Sequence, residues 1–457
     1  MQGIFSNLAV MVTLLLSSNA YYIFLKSVKP NLKPDYTIIC PRYHRMDSIV
    51  YFVQIFIRIA NMYKIVYFYC MIQRQLEAKL KQLYRYFPVV SLNGPRQSGK
   101  STLLKNTFSK LPYVSLENPD DLELALNDPR RFLSNFKKGA ILDEVQNAPI
   151  LFSYLQGMVD DNVKVKFVLS GSQNFLLNEK IAQTLAGRVG LLNLLPFSIT
   201  ELQQASLLKK TFEETAFTGF YPRIFDRKIP PSLFYPSYLQ TYVQRDVLQI
   251  TKIADAALFL KFLKLVAGRV GQLLNFSSLA SDTGVAVNTI RSWIQLLEMS
   301  FIVFSLKPHH NNFAKRLVQQ PKLYFYDTGL LCYLLGIEKP AQLNTHFARG
   351  SIFENLIILD LLKSRYNRGL QNNLYFWRDN HGKEVDCIID HTSKLFPVEI
   401  KSSHTKSLHF FDTIQYYTKL AKEKAGKGFV VYGGKEELDL EQGHLIPWNT
   451  MKKLYSL

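Results

Sequence analysis

The sequence predicts an α/β protein with a parallel sheet covered by helices, then a helical segment, then a second α/β domain. Two patterns support this prediction. Short apolar runs of strand type alternate with helical patterns between Val89 and Leu195, as is typical of parallel strands joined by helices. Further strand-type runs, which carry acidic residues, occur between Glu384 and Lys401. The length of 457 residues allows two or three domains with separate cores.

The composition narrows the classes of protein to consider. Hydrophobic residues make up 47%, which argues against a disordered chain. The 55 Lys+Arg and 36 Asp+Glu residues give a net charge of +19, so a polyanionic partner is expected, be it a nucleic acid, a membrane or a nucleotide. Residues 346–457 hold 16 basic and 13 acidic side chains, so this excess lies mostly elsewhere. Four cysteines without a CxxC pair exclude a disulfide scaffold and favour a reducing, cytoplasmic compartment.

Residues 1–70 form a hydrophobic N-terminal extension. The run from Leu8 to Leu25 is almost entirely apolar, and a second apolar run extends from Ile49 to Cys70. A secretory signal is disfavoured because the first basic residue, Lys26, follows the apolar run. Two interpretations stay open. Residues 8–25 are a membrane anchor, or the segment is an upstream extension of a protein that starts at Met71.

A glycine-rich loop follows the first predicted strand, Pro88–Asn93, and precedes a helix. Its pattern, GxxxxGK[ST], curls the backbone so that N–H groups point at phosphate oxygens. Lys100 is expected to contact the β- and γ-phosphates of ATP, and Ser101 to ligate Mg²⁺. The predicted nucleotide-binding residues are Gly94, Pro95, Arg96, Gln97, Ser98, Gly99, Lys100, Ser101 and Thr102.

Two later strands are predicted to complete this site. The run Lys138–Glu144 ends in two acids, of which Asp143 is expected to hold Mg²⁺ and Glu144 to deprotonate the attacking water. The run Lys166–Ser172 ends in hydroxyl residues, so Ser170 or Ser172 is predicted to be a polar sensor beside the γ-phosphate. The alternative is an ordinary turn at the end of a strand.

Hydrolysis also needs a cation to stabilise the charge of the transition state, and a neighbouring subunit often supplies it. Arg188, Arg223 and Arg245 are candidates, and Arg188 is the one predicted to be catalytic. This prediction implies a homo-oligomer. The alternative is that each arginine forms a structural ion pair.

The segment 236–345 reads as a winged helix-turn-helix. Ser277 or Ser278 is expected to cap a first helix, Gly284 to make the turn, and Val287 to begin a second helix, before the strand Phe301–Leu306. DNA is therefore a predicted partner, and the alternative is a helix pair packed on the ATPase core. The predicted DNA-contacting residues are Asn288, Thr289, Arg291 and Ser292 for bases and Lys307, Lys315 and Arg316 for phosphates.

The segment 346–457 carries a set of acids in an order that is typical of PD-(D/E)XK nucleases. Glu354 lies on a predicted helix, Asp386 on a strand, and Glu399 and Lys401 on one face of the next strand. Asp386 and Glu399 are expected to hold a divalent ion, with Lys401 stabilising charge and Glu354 completing the site. The alternative is a nuclease-like fold kept for binding or assembly.

Together these residues resemble a prokaryotic family of AAA-type ATPases with a C-terminal restriction-endonuclease-like domain. The resemblance covers Met71 to about Gly434 and implies ATP binding and hydrolysis, in an ATPase domain at 71–235. Where the family tends to have paired glycines before Tyr-Pro, this chain has Gly219 and Phe220. The motifs that carry the resemblance are Gly94–Ser101, Leu142–Gln146, Leu169–Ser172, Leu185–Val189, Leu195–Phe197, Tyr242–Asp246, Pro321–Leu330, Phe353–Asn355, Glu384–Asp386 and Val398–Lys401.

Overall fold

A computed structural model describes residues 72–161, 165–172, 184–241, 255–309 and 319–457, together with the backbone of three strands nearer the N-terminus. The chain divides into two compact units, Met1–Ile72 and Gln73–Leu457. In the first unit, β1 (Val10–Leu16), β2 (Ala20–Ser27) and β3 (Tyr36–Pro41) pair antiparallel in this order.

The apolar run 8–25, expected to be one continuous span if it is an anchor, falls largely on β1 and β2 instead. These two strands pair antiparallel, with Leu16 opposite Tyr21 and Val10 opposite Ser27. Across the described ranges, no helix is both long enough and apolar enough to cross a membrane.

The second unit begins with a five-stranded parallel sheet. Its strand order is β5-β6-β7-β4-β8, so the strand before the glycine-rich loop is flanked on both sides. All residues of β4, β6 and β7 are buried, which explains their continuous apolar character. The strands are β4 (Val89–Asn93), β5 (Tyr113–Ser115), β6 (Ile141–Asp143), β7 (Phe167–Gly171) and β8 (Val189–Asn193).

Helices cover both faces of this sheet. Leu142 and Leu169 pack on one face, while their neighbours Ile141 and Val168 pack on the other, as strand alternation requires. The first helix of this unit begins at Glu77, and Leu80 is its buried residue. The helices are α1 (Glu77–Tyr86), α2 (Lys100–Thr107), α3 (Pro119–Asn127), α4 (Pro129–Ser134) and α5 (Leu151–Asp161).

A mainly helical segment follows the sheet and ends in a two-stranded antiparallel pair, β9 (Val303–Leu306) and β10 (Lys322–Phe325). The expected helix-turn-helix is formed by the two helices before β9, and Gly284 turns between them at φ +86°. The helices of this segment are α6 (Ile199–Gln204), α7 (Phe212–Thr218), α8 (Pro222–Asp226), α9 (Pro231–Tyr238), α10 (Ala256–Ala267), α11 (Phe276–Thr283), α12 (Val287–Met299) and α13 (Thr328–Leu334).

The predicted cap of α11 was wrong. Neither Ser277 nor Ser278 caps the helix with its side chain. Asn275 lies before the helix in an extended conformation, and its side chain accepts a hydrogen bond from the Ser278 amide at 3.0 Å. Both serines lie within the first turn of α11, too late in the chain to serve as its N-cap.

The C-terminal part is a six-stranded mixed sheet in the order β11-β12-β13-β14-β16-β15. The first three strands pair antiparallel, and β13, β14 and β16 are parallel neighbours. The elements are α14 (Arg349–Asn367), β11 (Leu374–Arg378), β12 (Glu384–His391), β13 (Lys394–Lys401), α15 (Asp412–Ala421), β14 (Phe429–Tyr432), β15 (Leu438–Leu440), β16 (Gly443–Pro447) and α16 (Lys452–Tyr455).

Candidate functional site

The glycine-rich loop connects the carboxyl end of β4 to the first residue of α2. Gly94 approaches the neighbouring chain so closely that a Cβ atom there would lie 2.1 Å from the carbonyl oxygen of Leu194. Gly99 adopts φ +93°, a conformation that side chains disfavour, and directly precedes the helix. The loop therefore brings the N-terminus of α2 to the carboxyl edge of the sheet, where a helix dipole favours anions.

Lys100 is the first residue of α2 and is buried. Its ammonium donates hydrogen bonds to the carbonyl oxygens of Gly94 and Pro95, at 2.8 and 3.0 Å. Burial lowers the pKa of this ammonium, whereas the charges of Glu144 and Asp143 act in the opposite direction. The side chain thus lies over the loop, where a phosphate group would be held.

Asp143, the last residue of β6, is the centre of a hydrogen-bonded cluster. Its Oδ2 atom accepts from Ser101 Oγ at 2.6 Å and from the Tyr113 hydroxyl, and its Oδ1 atom accepts from Ser170. Burial alone would raise the pKa of this carboxyl, but these hydrogen bonds and the charge of Lys100 outweigh it and lower the pKa. Asp143 is therefore held as a carboxylate. It lies next to Ser101, as the predicted Mg²⁺ ligands require.

Glu144 follows Asp143 in a left-handed backbone conformation, with φ 54°. A non-glycine residue in this conformation is uncommon and stores strain, and strained residues of this kind cluster at active sites. Its Oε2 atom accepts from Ser172 Oγ at 3.0 Å and from the Gln146 side-chain amide. The turn after β6 thus directs Asp143 toward Ser101 and Glu144 toward Ser172.

The two candidate sensors have different partners. Ser170 lies on β7, the strand between β4 and β6, and contacts Asp143. Ser172 follows the same strand and contacts Glu144. Sequence reasoning identified both serines but could not assign a partner to either.

Sequence reasoning missed Arg74, which supports the loop from behind. This buried guanidinium donates to the Ser98 carbonyl at 2.8 Å and to the Leu195 carbonyl at 2.6 Å. It also pairs with the buried Glu201 at 3.0 Å. The same glutamate forms a capping box with Ser198 at the start of α6. A lone arginine before an amphipathic helix gives no sequence signal for this contact.

Neither of the two candidate arginines that the structure describes contacts the loop of its own chain. Arg188 makes a bidentate ion pair with Asp160, with Nε 2.6 Å from Oδ1 and Nη2 2.9 Å from Oδ2. It precedes β8, whose pairing with β4 places it at the amino end of the sheet, about 20 Å of strand away from the loop. Arg223 is exposed on α8, and Arg245 lies outside the described residues. Arg188 is therefore distant from the loop of its own chain.

The helix-turn-helix presents part of the predicted DNA-contacting surface. Asn288, Arg291 and Ser292 are exposed on α12, and Thr289 is half-buried. The Arg291 guanidinium stacks over the ring of Phe276, 4.3 Å from its centroid. Lys307 is exposed, whereas the predicted phosphate contacts at positions 315 and 316 lie outside the described residues.

The C-terminal acids come together, but with lysines between them. Lys401 pairs with Glu399 and lies 3.8 Å from Asp386, whose Oδ2 atom also accepts from the Ile400 amide at 2.8 Å. Glu354 pairs instead with Lys322, at 3.0 Å. Burial raises the pKa of Glu354 to about 7 and that of Glu399 to about 8.

The predicted divalent-ion ligands Asp386 and Glu399 lie beside Lys401. Within the described part of the chain, no group of three or more His, Cys, Asp or Glu side chains is arranged to hold a metal ion. The Oε1 atom of Glu354 accepts hydrogen bonds from Lys322 and Tyr324. Lys322 lies on β10, far before the acids in sequence, so their spacing could not reveal it.

A parallel sheet with a glycine-rich loop after its inner strand, and with an Asp-Glu pair two strands away, defines a P-loop NTPase fold of the AAA type. A family model described as an AAA domain matches residues 86–203. Residues 209–341 and 349–451 match two families described as domains of unknown function, DUF8612 and DUF4143.

The chain belongs to the family of two mycobacterial relatives, the uncharacterized proteins Mb2031c of Mycobacterium bovis and Rv2008c of Mycobacterium tuberculosis. Each is 30% identical over 346 residues, which cover 74% of this chain and 76% of the relative. An uncharacterized protein of Haemophilus influenzae is 21% identical over 395 residues, covering 78% of this chain and 93% of its own length.

Two solved structures are similar at a greater distance. The Walker-type ATPase paby2304 of Pyrococcus abyssi has a TM-score of 0.39 and 14% identity, covering 57% of this chain and 94% of that one. The AMPPCP-bound DnaA of Aquifex aeolicus has a TM-score of 0.26 and 15% identity, covering 49% and 85%.

Proposed function

We propose that this protein binds and hydrolyses MgATP at the loop 94–102. The observation that carries the proposal is the 2.6 Å contact between Ser101 Oγ and the Asp143 carboxylate. It joins the hydroxyl after the loop lysine to the acid at the end of β6, two strands away from β4. These are the two protein groups that hold Mg²⁺ in P-loop NTPases. A hydroxyl and a carboxylate are suitable oxygen ligands for this hard cation.

The loop residues bind and orient the triphosphate. The backbone N–H groups at the start of α2 and the Lys100 ammonium would contact phosphate oxygens, at the cost of the lysine's present bonds to Gly94 and Pro95. Bound Mg²⁺ would neutralise charge on the β- and γ-phosphates. Arg74 fixes the Ser98 carbonyl and so holds the curl of the loop in place.

Glu144 is the proposed general base. Its carboxylate takes a proton from water as the water oxygen forms a bond to the γ-phosphorus and the bond from that phosphorus to the ADP oxygen breaks. Ser172 and Gln146 donate to its Oε2 atom and fix its orientation. Ser170 performs the same task for Asp143.

A second subunit is proposed to complete the site. Hydrolysis needs a cation at the γ-phosphate besides Lys100. Within its own chain, Arg188 lies at the amino end of the sheet, whereas the loop lies at the carboxyl end. A homo-oligomer would allow the partially exposed Arg188 of one chain to approach the nucleotide of another. This role requires the ion pair with Asp160 to open.

Nucleotide binding by Lys100→Ala tests the proposal. Loss of a charged contact to phosphate costs about 1.5–3 kcal/mol, or roughly 10- to 100-fold in affinity. Titration of a fluorescent ATP analogue in Mg²⁺ should show this loss, while Lys110→Ala, which changes an exposed lysine near the end of the same segment, should bind like the wild type. Equal affinity in both variants would contradict the proposal.

DNA is a second candidate ligand, supported by the exposure of Asn288, Arg291 and Ser292 on α12. The basic excess of residues 71–345 would contact phosphates. Binding of a labelled duplex should weaken steeply with salt and fall in Arg291→Ala. Salt-independent binding, or none, would favour the interpretation in which α11 and α12 only pack within the protein.

The free thiols agree with a cytoplasmic location, which we also propose. Among the described residues, Cys332 and Cys387 are free and buried. Free cysteines are typical of reducing compartments such as the cytoplasm.

A further inference from the structure

A buried lysine from the middle segment lies among the acids of the C-terminal sheet. Lys322 is 3% exposed, and its Nζ atom is 3.0 Å from Glu354 Oε1 and also pairs with Glu384. Burial would lower the pKa of this ammonium, but the charges of Glu354, Glu384 and Asp386 outweigh burial and raise it. The Lys322 ammonium therefore lies between two carboxylates of the acidic cluster.

The neighbours of Lys322 fix β10 against α14. Tyr324 lies on the same face of the strand and donates to Glu354 Oε1 at 2.5 Å. The Asn355 side chain accepts from the Phe325 amide at 2.6 Å and donates to the Phe325 carbonyl at 2.9 Å. Two consecutive residues of α14 are thus bound to three positions of one short strand.

The remaining acids also have cations of their own. Lys401 pairs with Glu399 and faces Asp386, and Arg378 lies 3.2 Å from Glu384. A divalent ion bound by Glu354 or Glu399 would have to compete with an ammonium group that already pairs with one oxygen of that carboxylate. Magnesium usually binds one or two carboxylates and keeps several waters, so each carboxylate that is paired with lysine removes a ligand from a small set.

We infer that Lys322 is the cation of this cluster and that it joins the middle segment to the C-terminal domain in place of a divalent metal. The acids that resemble a nuclease site then act as an interdomain clasp, defined by Lys322, Tyr324, Glu354, Asn355 and Glu384. While the clasp is closed, the C-terminal domain does not bind the metal that strand cleavage would need.

Manganese binding tests this inference independently of ATP turnover. In nucleotide-free full-length protein, electron paramagnetic resonance should detect no Mn²⁺ that depends on Asp386, so the wild type and Asp386→Asn should bind equally. Lys322→Met removes the charge but keeps most of the buried side-chain volume. It should gain a bound Mn²⁺ that the double variant Lys322→Met/Asp386→Asn lacks.

A second measurement needs no variant. Acetylation of wild-type Lys322, followed by mass spectrometry, should be slow and unaffected by about 10 mM Mn²⁺, because the ammonium is buried and paired. Faster labelling of Lys322 with Mn²⁺ would overturn the inference, because it would show that the metal displaces the lysine. The inference would also be overturned if the wild type bound Mn²⁺ and Asp386→Asn did not. A Lys322→Met variant that folds but binds no more Mn²⁺ than the wild type would overturn it as well.

Discussion

The Oγ atom of Ser172 lies 3.0 Å from the Oε2 atom of Glu144, and both side chains are buried. The two residues come from different strand ends, and the left-handed backbone at Glu144 is what turns its side chain toward Ser172. Removing a donor from a carboxylate frees its orientation without removing the carboxylate. Substitution of Ser172 therefore tests how the proposed base is positioned, while the carboxylate that accepts the proton stays in place.

Ser172→Ala should lower the ATP turnover rate with little change in ATP affinity. A hydrogen bond to a charged group contributes about 1.5–3 kcal/mol, which corresponds to roughly 10- to 100-fold in rate. Ser170→Ala should instead raise the Mg²⁺ concentration needed for half-maximal turnover, because its partner is Asp143. Ser134→Ala, on an exposed position of α4, is the control for both variants. Identical effects of the two strand serines would contradict their separate assignments.

Arg74→Met should reduce the free energy of unfolding by about 3–5 kcal/mol, because it leaves the Glu201 carboxylate buried without its partner. Urea denaturation followed by circular dichroism measures this change. Arg96→Ala removes a surface pair with Glu117 and should cost at most about 1 kcal/mol. The double variant Arg74→Met/Glu201→Gln should recover part of the loss. An unchanged free energy of unfolding in Arg74→Met would show that the buried Glu201 carboxylate does not need Arg74 as its partner.

The lowered pKa of the buried Lys363 predicts how the free energy of unfolding depends on pH. Burial lowers the pKa of its ammonium from 10.5 to about 8, although Asp360 and Asp327 oppose this shift. Between these values the unfolded chain binds more protons, so this residue makes the free energy of unfolding rise with pH, by roughly 3 kcal/mol in total.

The comparison with Lys363→Met isolates that contribution. The variant should lack the increment between pH 8 and 10.5, while groups distant from Lys363 contribute as before. Urea titrations at intervals across this range measure both proteins. Parallel curves for the wild type and the variant would show that the Lys363 pKa is not lowered by folding.

The core of the nucleotide site was predictable because its residues are close in sequence to the strands that place them. Gly94 to Ser101 follow one strand, and Asp143 and Glu144 end another, so apolar runs and their terminal residues were enough. The predicted α/β fold with its parallel sheet was confirmed. The partners of Ser170 and Ser172 were not predictable, since the choice depends on the backbone turn at Glu144.

Contacts between segments that are distant in the chain could not be predicted from the sequence. Arg74 reaches Glu201 and Lys322 reaches Glu354, and neither pair has a periodicity or spacing that links its members. The nuclease-like pattern was read from three acids and Lys401, whereas Lys322, which pairs with Glu354, comes from another segment. Likewise, Arg188 belongs to a conspicuous motif, but only the strand pairing shows that it lies at the amino end of the sheet, away from the loop.

ATP turnover and bound nucleotide, measured together in the wild type and in Glu144→Gln, test the central proposal most directly. The amide cannot accept the proton, so turnover should fall by about 10²- to 10⁴-fold, while the variant retains ATP through Lys100, Ser101 and Asp143. Stoichiometric ATP, rather than ADP, should be recovered from the variant after gel filtration. Wild-type turnover in Glu144→Gln, or no nucleotide bound to either protein, would contradict the account.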